Sequence, residues 1–405
     1  MHNDRVNERN VTTMKKSLIL ACASAMLLAG CGAGNSTNYV DEPKGGKEET
    51  AENVGAAAKK LSSAMAEKKA LGLDINGGAS ASASVAFKKN EALGGLSGKT
   101  YSYEAGLNDL KASLALSYGE AFKASASTSA NLRLKGTIPT QKIIGGSTLI
   151  DIPQYTMEEK AIDINANLSA EAFIEEGVAY VDYSGSKQGI IDIMKVFVPM
   201  EGSESSDIPT KIKTALPDQV AGILNELPPY LGQAMSMIAG FLASTAEAAQ
   251  GSDASWMDSL KNFLSFKSYE GGLYGIKAQA NLQNILSTIE GAASTSLPAI
   301  LKSIDANVEA LLVFSETELR SFGASFKVSA KDINPSSLGQ QLPVDAAGAS
   351  MAMIDKISLS SEFGFKANFL YDGAVNVKSV ANKESYQELP GAQNIPQLPD
   401  FFEEE

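Results

Sequence analysis

Histidine, cysteine and tryptophan are almost missing from this 405-residue chain: His2 is the one histidine, Cys22 and Cys31 the two cysteines, and Trp256 the one tryptophan. Without a histidine beyond position 2, Ser-His-Asp and Cys-His catalysis have no base. Two cysteines and one histidine also leave too few ligands for the usual zinc sites and no disulfide framework. The chain has little positive charge relative to negative, with 34 Lys and Arg against 47 Asp and Glu and a net charge of −13. That balance disfavours nucleic acid and anionic headgroups as partners. Apolar runs are short, and none reaches the length of a transmembrane helix.

The first feature present is an apolar run behind Lys15 and Lys16, through Leu18, Ile19, Leu20, Ala21, Ala23, Met26, Leu27 and Leu28, closed by Leu28-Ala29-Gly30-Cys31. A positive start, a short apolar middle and small residues before a cleavage point read as an export signal over residues 1–30, with Met14 as the better start. The tetrapeptide resembles the lipobox of bacterial lipoprotein precursors. The resemblance implies a diacylglyceryl group on the Cys31 sulfur, cleavage just before Cys31, and a protein lipid-anchored to the cell membrane or outer membrane, facing periplasm or exterior. Gly32 is not the aspartate that marks inner-membrane retention in some members. The leader holds Arg5, Arg9, Lys15 and Lys16 against Asp4 and Glu8, so its removal takes the net charge from −13 to −15. Attachment to a bilayer then rests on acyl chains, each buried CH₂ contributing about 0.8 kcal/mol.

Residues 31–50, rich in Gly, Asn, Ser and charge, predict a flexible lipidated tether. From Ala51, apolar residues at three- and four-residue steps (Val54, Ala57, Ala58, Leu61, Ala64, Met65) predict a helix. The period then becomes two. Leu71, Leu73, Ile75, Ala79, Ala81, Ala83, Val85 and Phe87 share one face, with Ser80, Ser82 and Ser84 on the other. A second alternation, Leu110 to Leu134 on even positions, would be ~80 Å long as one strand at about 3.3 Å per residue, so it folds back at Gly119 through an odd loop. Parity places a two-residue turn at Glu176-Gly177. A three-residue loop is expected at Tyr371-Asp372-Gly373, returning through Val375 and Val377, with Gly373 left-handed. Further strands are expected at Tyr274–Ala280, Ala306–Phe314 and Phe322–Val328. Residues 187–266 read as a helical block, with stripes such as Ile212-Leu216-Val220-Leu224 and Leu231-Met235-Ile238-Phe241, and a fourth helix at Trp256–Leu264.

The expected fold class is α+β: a large curved antiparallel sheet, unclosed and barrel-like, packed on a helical block, in one domain over 51–385 with an extended acidic tail at 386–405. One sheet face mixes Ala with Phe122, Phe326, Phe363 and Phe365, which either admits close helices or leaves volume for an apolar guest. The helix carrying Met235 and Met237 reads either as an adaptable lid over such a volume or as a plain core helix. This arrangement, with phrases such as Glu175-Glu176-Gly177-Val178-Ala179-Tyr180-Val181-Asp182, resembles the LolA/LolB-like lipid-binding lipoproteins. The resemblance implies a hydrophobic cavity for acyl chains between sheet and helices. Candidate ligand contacts are Phe122, Met235, Ile238, Phe241, Phe363 and Phe365; the lipidation site is Cys31.

The functional expectation is a non-enzymatic, membrane-anchored lipoprotein binding a hydrophobic ligand, with no cofactor, no metal and no nucleic-acid partner. The alternative is an envelope interaction or scaffold protein with a fully packed core. Ser184-Gly185-Ser186-Lys187 satisfies S-x-x-K but lacks the companion motifs of a serine hydrolase. Asp74-Ile75-Asn76-Gly77 lacks the other ligands of a calcium loop. Adjacent carboxylates at Glu158-Glu159 and Glu175-Glu176 point apart on a strand and make no general acid/base pair.

Overall fold

A computed structural model describes residues 39–118, 122–147, 150–197, 209–217, 263–284, 303–335 and 353–388, with isolated helical positions at 220, 222, 224, 237, 240, 243 and 286. Cys31, Met235, Ile238 and Phe241 lie outside the described residues, as does the chain beyond residue 388.

The strands, in chain order, are β1 (Lys47–Glu48), β2 (Ala70–Phe87), β3 (Thr100–Tyr118), β4 (Phe122–Ser147), β5 (Ile150–Glu175), β6 (Val178–Asp182), β7 (Lys211–Ala215), β8 (Leu264–Tyr269), β9 (Leu273–Asn281), β10 (Ile304–Phe314), β11 (Leu319–Ile333), β12 (Ile354–Tyr371) and β13 (Gln387–Glu388). They form one sheet in the order β1-β8-β9-β10-β11-β12-β2-β3-β4-β5-β6-β7-β13. Two antiparallel meanders, β2 to β7 and β8 to β12, are joined where β12 pairs with β2. The sheet does not close, because β7 and β8 never meet: β13 lies parallel on β7 and β1 antiparallel on β8. Two-residue edge strands of this kind blunt an edge that would otherwise template pairing with another chain.

The turns obey the parity of the sequence where a short loop suffices. Tyr118 pairs with Phe122 across three residues, and Glu176 and Gly177 both take positive φ, 55° and 74°, between β5 and β6. This is the backbone of a two-residue hairpin. In β3 an extra residue opposes β4 between Asn108 and Lys111, with Asp109 at φ 52°. That bulge switches the phase, so Tyr101 and Tyr103 below it share a face with Leu114 and Leu116 above it.

Among the described residues, two continuous helices cover one face of the sheet. Helix α1 (Ala51–Met65) starts at Thr50, whose hydroxyl accepts the Asn53 N–H at 3.2 Å, an N-cap that satisfies one free donor. It buries Val54, Ala58, Leu61 and Met65 against Ile276, Phe314, Leu319 and Tyr371 at one end of β9 to β12. Each such large side chain contributes about 1.5–3 kcal/mol. Helix α2 (Lys187–Phe197) sets Ile193 on Ile162, Ile164, Ala166, Leu132 and Leu134.

Two straps cross the opposite face. Residues 39–48, expected as loose tether, are docked: Val40 is buried with Leu311 and Val313, and Glu42 reaches Lys267 at 2.7 Å and Lys277 at 3.1 Å. The expected hairpin after β12 does not form. Asp372, not Gly373, takes the left-handed conformation at φ 48°, and its carboxylate accepts the Lys69 and Ala70 N–H groups at 2.9 and 3.3 Å. The chain is thereby led onto the strap-bearing face. There Lys378 N–H donates to Ser125 Oγ at 3.0 Å, Val380 and Tyr386 pack on Phe173 and Tyr180, and β13 joins β7. The start of the expected tail is therefore part of the sheet.

The helical block expected over 187–266 is smaller than predicted. Ile212 belongs to β7 and Leu264 to β8, because both continue the hydrogen-bonding of strands whose edges would otherwise be bare. Helical backbone between them is described at 220, 222, 224, 237, 240 and 243. Ala243 is buried in the α1 cluster, so this residue packs on the same face as α1. Among the described residues no helix is long and apolar enough to cross a membrane.

Candidate functional site: an aromatic row on the helix-bearing face

Strand register, not sequence proximity, builds the candidate site. Ala280 pairs with Val308, Val308 with Phe326, Phe326 with Phe363, and Phe363 with Ala79, a row across β9, β10, β11, β12 and β2. The next rows set Phe365 opposite Ala324 and Gly77, and Phe322 opposite Ala367. A large ring thus meets a small neighbour at each of these rungs, which lets the rings lean together. Phe322 and Phe365 meet edge-on at 5.6 Å, and Phe363 and Phe365 lie 5.7 Å apart. Offset and edge-on ring pairs add about 0.5–1.5 kcal/mol beyond the area they bury.

Helix α1 covers the Phe314 and Tyr371 end of these strands and stops short of the row. Val308, Phe326 and Phe363 remain 44%, 40% and 41% exposed, and Leu359, farther along β12, is 38% exposed. The β2 flank of the row, Ala79, Ala81, Ala83 and Val85, is buried and carries no charge. Contiguous apolar surface left open on a sheet marks a place where something apolar docks. An uncharged floor of rings and alanines suits hydrocarbon and offers no partner for an ion.

The sequence-predicted residues divide accordingly. Phe363 and Phe365 stand together with Phe322 and Phe326. Phe122 does not join them: it pairs with Tyr118 at the end of the sheet where Ala70 meets Ser117 and Leu71 meets Tyr371. Phe363 is eight residues down β12 from Tyr371, about 26 Å at 3.3 Å per residue. Even parity brought Phe122 onto the right face but said nothing of its position along the strand. Met237, next to the predicted Met235 and Ile238, is 71% exposed. Val308 and Phe322 share the parity of this face, but parity alone does not mark them as site residues; the missing signal is which rungs α1 leaves uncovered.

The polar candidates take structural roles. Ser184 gives its N–H at 2.9 Å, and its hydroxyl, to Asp182, which Lys211 also approaches at 2.9 Å. Burial raises the Asp182 carboxyl, but the Ser184 groups and Lys211 together bring it below its ordinary value. Ser186 is buried, accepting the Ser169 N–H at 2.6 Å and donating to the Ser169 carbonyl at 2.5 Å, and so closes the free side of β5 where β6 ends. Two grooves lie on or beside the strap-bearing face along the line between β2 and β3. One, of about 400 Å³, is lined by Tyr39, Asn76, Asn108, Asn131 and Arg133. The other, of about 740 Å³, is lined by Asp74, Ser113, Ser127, Ser169 and Asp182. Their linings are mostly polar, and neither coincides with the aromatic row.

No family model and no curated protein matches the sequence. Among solved structures, a beta-barrel-like protein of a domain of unknown function from Brucella abortus aligns at 7% identity over 75% of this chain and 99% of its own, with a TM-score of 0.10. A FadL homologue from Pseudomonas aeruginosa aligns at 8% identity over 85% of this chain and 100% of its own, with a TM-score of 0.12. At these scores neither likeness transfers a site or an activity.

Proposed function

We propose that this chain is a lipid-anchored, extracytoplasmic, non-enzymatic protein that takes up a hydrophobic ligand of the lipid class on the helix-bearing face of its sheet. The anchor rests on Leu28-Ala29-Gly30-Cys31 behind a positive and apolar leader. The ligand rests on one observation: Val308, Phe326 and Phe363, in register on three neighbouring strands, stay about two-fifths exposed beyond the end of α1. Water against these rings is displaced at a gain of about 25 cal/mol per Å² when an acyl chain covers them.

The test uses the mature chain carrying Cys31→Ser, titrated with a fluorescent long-chain fatty acid and inspected by native mass spectrometry for carried-over lipid. The wild-type surface binds, and Phe326→Ser with Phe363→Ser weakens binding by about tenfold or more, as expected for losing 1.4 kcal/mol or more of apolar contact. A wild type that neither binds nor carries lipid, or a double variant that binds unchanged, overturns the ligand assignment. Palmitate labelling of the full chain, abolished by Cys31→Ser, tests the anchor separately.

A further inference from the structure

Strand register makes the floor around the aromatic row uniform in chemistry. From the rung of Leu312, Phe322, Ala367 and Ile75 to the rung of Ile304, Ala330, Leu359 and Ala83, the helix-bearing positions of β10, β11, β12 and β2 hold only Gly, Ala, Val, Leu, Ile and Phe, with one exception. The exception is Ser361. It pairs with Val328 on β11 and Ala81 on β2. On β12 it stands two residues from Phe363 and two from Leu359, which are 41% and 38% exposed, and so shares their face. Ser361 is half-buried, and its hydroxyl bonds to no described residue. Ser358, on the opposite face of the same strand, instead accepts the Asp332 N–H at 3.0 Å.

A hydroxyl in that position sets a condition on whatever covers it. Hydrocarbon laid over the floor displaces water from Ser361, and a hydroxyl stripped of water without an acceptor is left unsatisfied. A ligand that brings an acceptor removes that loss. The acceptor is a neutral one, because no Lys or Arg occupies these rungs on this face, and an unpaired carboxylate is far more costly to bury than a carbonyl. It also lies within the ligand, not at its end, since Leu359 continues the apolar floor on one side of Ser361 and Phe363 and Phe365 continue it on the other. A neutral carbonyl with hydrocarbon on both sides is the linkage of an acyl ester.

We propose that the ligand on the aromatic row is a neutral acyl ester whose carbonyl accepts the Ser361 O–H, and that Ser361 sets a preference for esters over free fatty acids. This rests on the ligand reading above and adds its chemical class. A free fatty acid binds through its tail alone, with its carboxylate left in water.

The mature chain carrying Cys31→Ser, loaded with the fluorescent fatty acid, is titrated with butyl oleate, oleate and 1-octadecene at a pH where oleate is ionised. Each variant is compared with the wild-type surface as a ratio between probes, which cancels their different solubilities. Ser361→Ala weakens butyl oleate about two- to tenfold relative to 1-octadecene and relative to oleate, the size of one neutral hydrogen bond. Ser361→Thr keeps the wild-type ratios. Ser361→Cys, of similar size but a weak donor, is read in the same way, so the outcome does not hang on the folding of one variant. Ratios that stay unchanged in Ser361→Ala and Ser361→Cys, or oleate weakened as much as butyl oleate, overturn the ester assignment while the ligand reading stands. A wild-type surface that retains neither the fluorescent fatty acid nor any of the three probes overturns the ligand reading itself, and the two failures are thereby told apart.

Discussion

Single side chains in this protein divide into those that hold the sheet and those that leave it open. Leu61 is fully buried between α1 and the sheet, so Leu61→Ala is expected to cost about 2–5 kcal/mol in urea unfolding. Phe363→Ser, at a site 41% exposed, is expected to cost far less while weakening ligand binding. Gly364 has no room for a side chain under Tyr39. Gly364→Val should therefore lift the strap, costing about 1–3 kcal/mol and exposing residues 39–48 to limited proteolysis. The strap also titrates. Hydrogen bonding to Lys267 pulls the Glu42 carboxyl below its ordinary range against the opposing effect of burial, so its stabilisation is full above about pH 4.5 and is lost as pH falls through the lowered value. Tyr269, buried against Gly46 of the strap, is pushed up to about 12 by burial, with Glu42 adding to the rise. Its contribution is full below the ordinary tyrosine value of about 10 and is lost as pH climbs toward 12. Chemical unfolding across pH should show both limits, and Glu42→Gln should remove part of the acid limb.

At the scale of elements, the design is a sheet with helices on one face and straps on the other. Strands β5 and β6 part company beyond Glu171 and Asp182, and Ser186 closes the exposed side of β5 with two hydrogen bonds to Ser169. Ser186→Ala leaves both Ser169 backbone groups without that partner and is expected to cost about 1–3 kcal/mol, with faster amide exchange at Ser169 by mass spectrometry. A catalytic role for the neighbouring Ser184 would instead appear as labelling by a serine-directed probe, against which its engagement by Asp182 argues. The bulge at Asp109 shows why alternation in β3 could be followed only above Leu110: one extra residue moves the whole lower half to the other phase.

For the whole molecule, the described segments 39–48 and 372–388 run from the middle of the sheet toward its two edges, one ending on β8 and one on β7. Ending the chain after Ala374 uncovers Phe173 and Tyr180 and bares the β7 edge. The truncated protein is expected to associate through that edge, seen as concentration-dependent species in size-exclusion chromatography. The face opposite the straps carries the aromatic row, so the two faces of the sheet differ: one is crossed by the straps, the other holds α1, α2 and an open apolar row.

The sequence by itself determined the strands with clean alternation, helix α1, the turn at Glu176-Gly177 and the face on which Phe363 and Phe365 stand, because these depend on neighbours within a few residues of one another. It also determined which chemistries lack the residues they need. Only the tertiary structure decided that Ile212 and Leu264 are strand residues, that Val375 and Val377 become a strap, and that residues 39–48 dock on Gly78, Gly323 and Gly364. It also separated Phe122 from Phe363 and left Val308 and Phe326 beyond the reach of α1. Those outcomes rest on hydrogen-bond partners and on covering surfaces far away in the chain, and local periodicity holds no record of either.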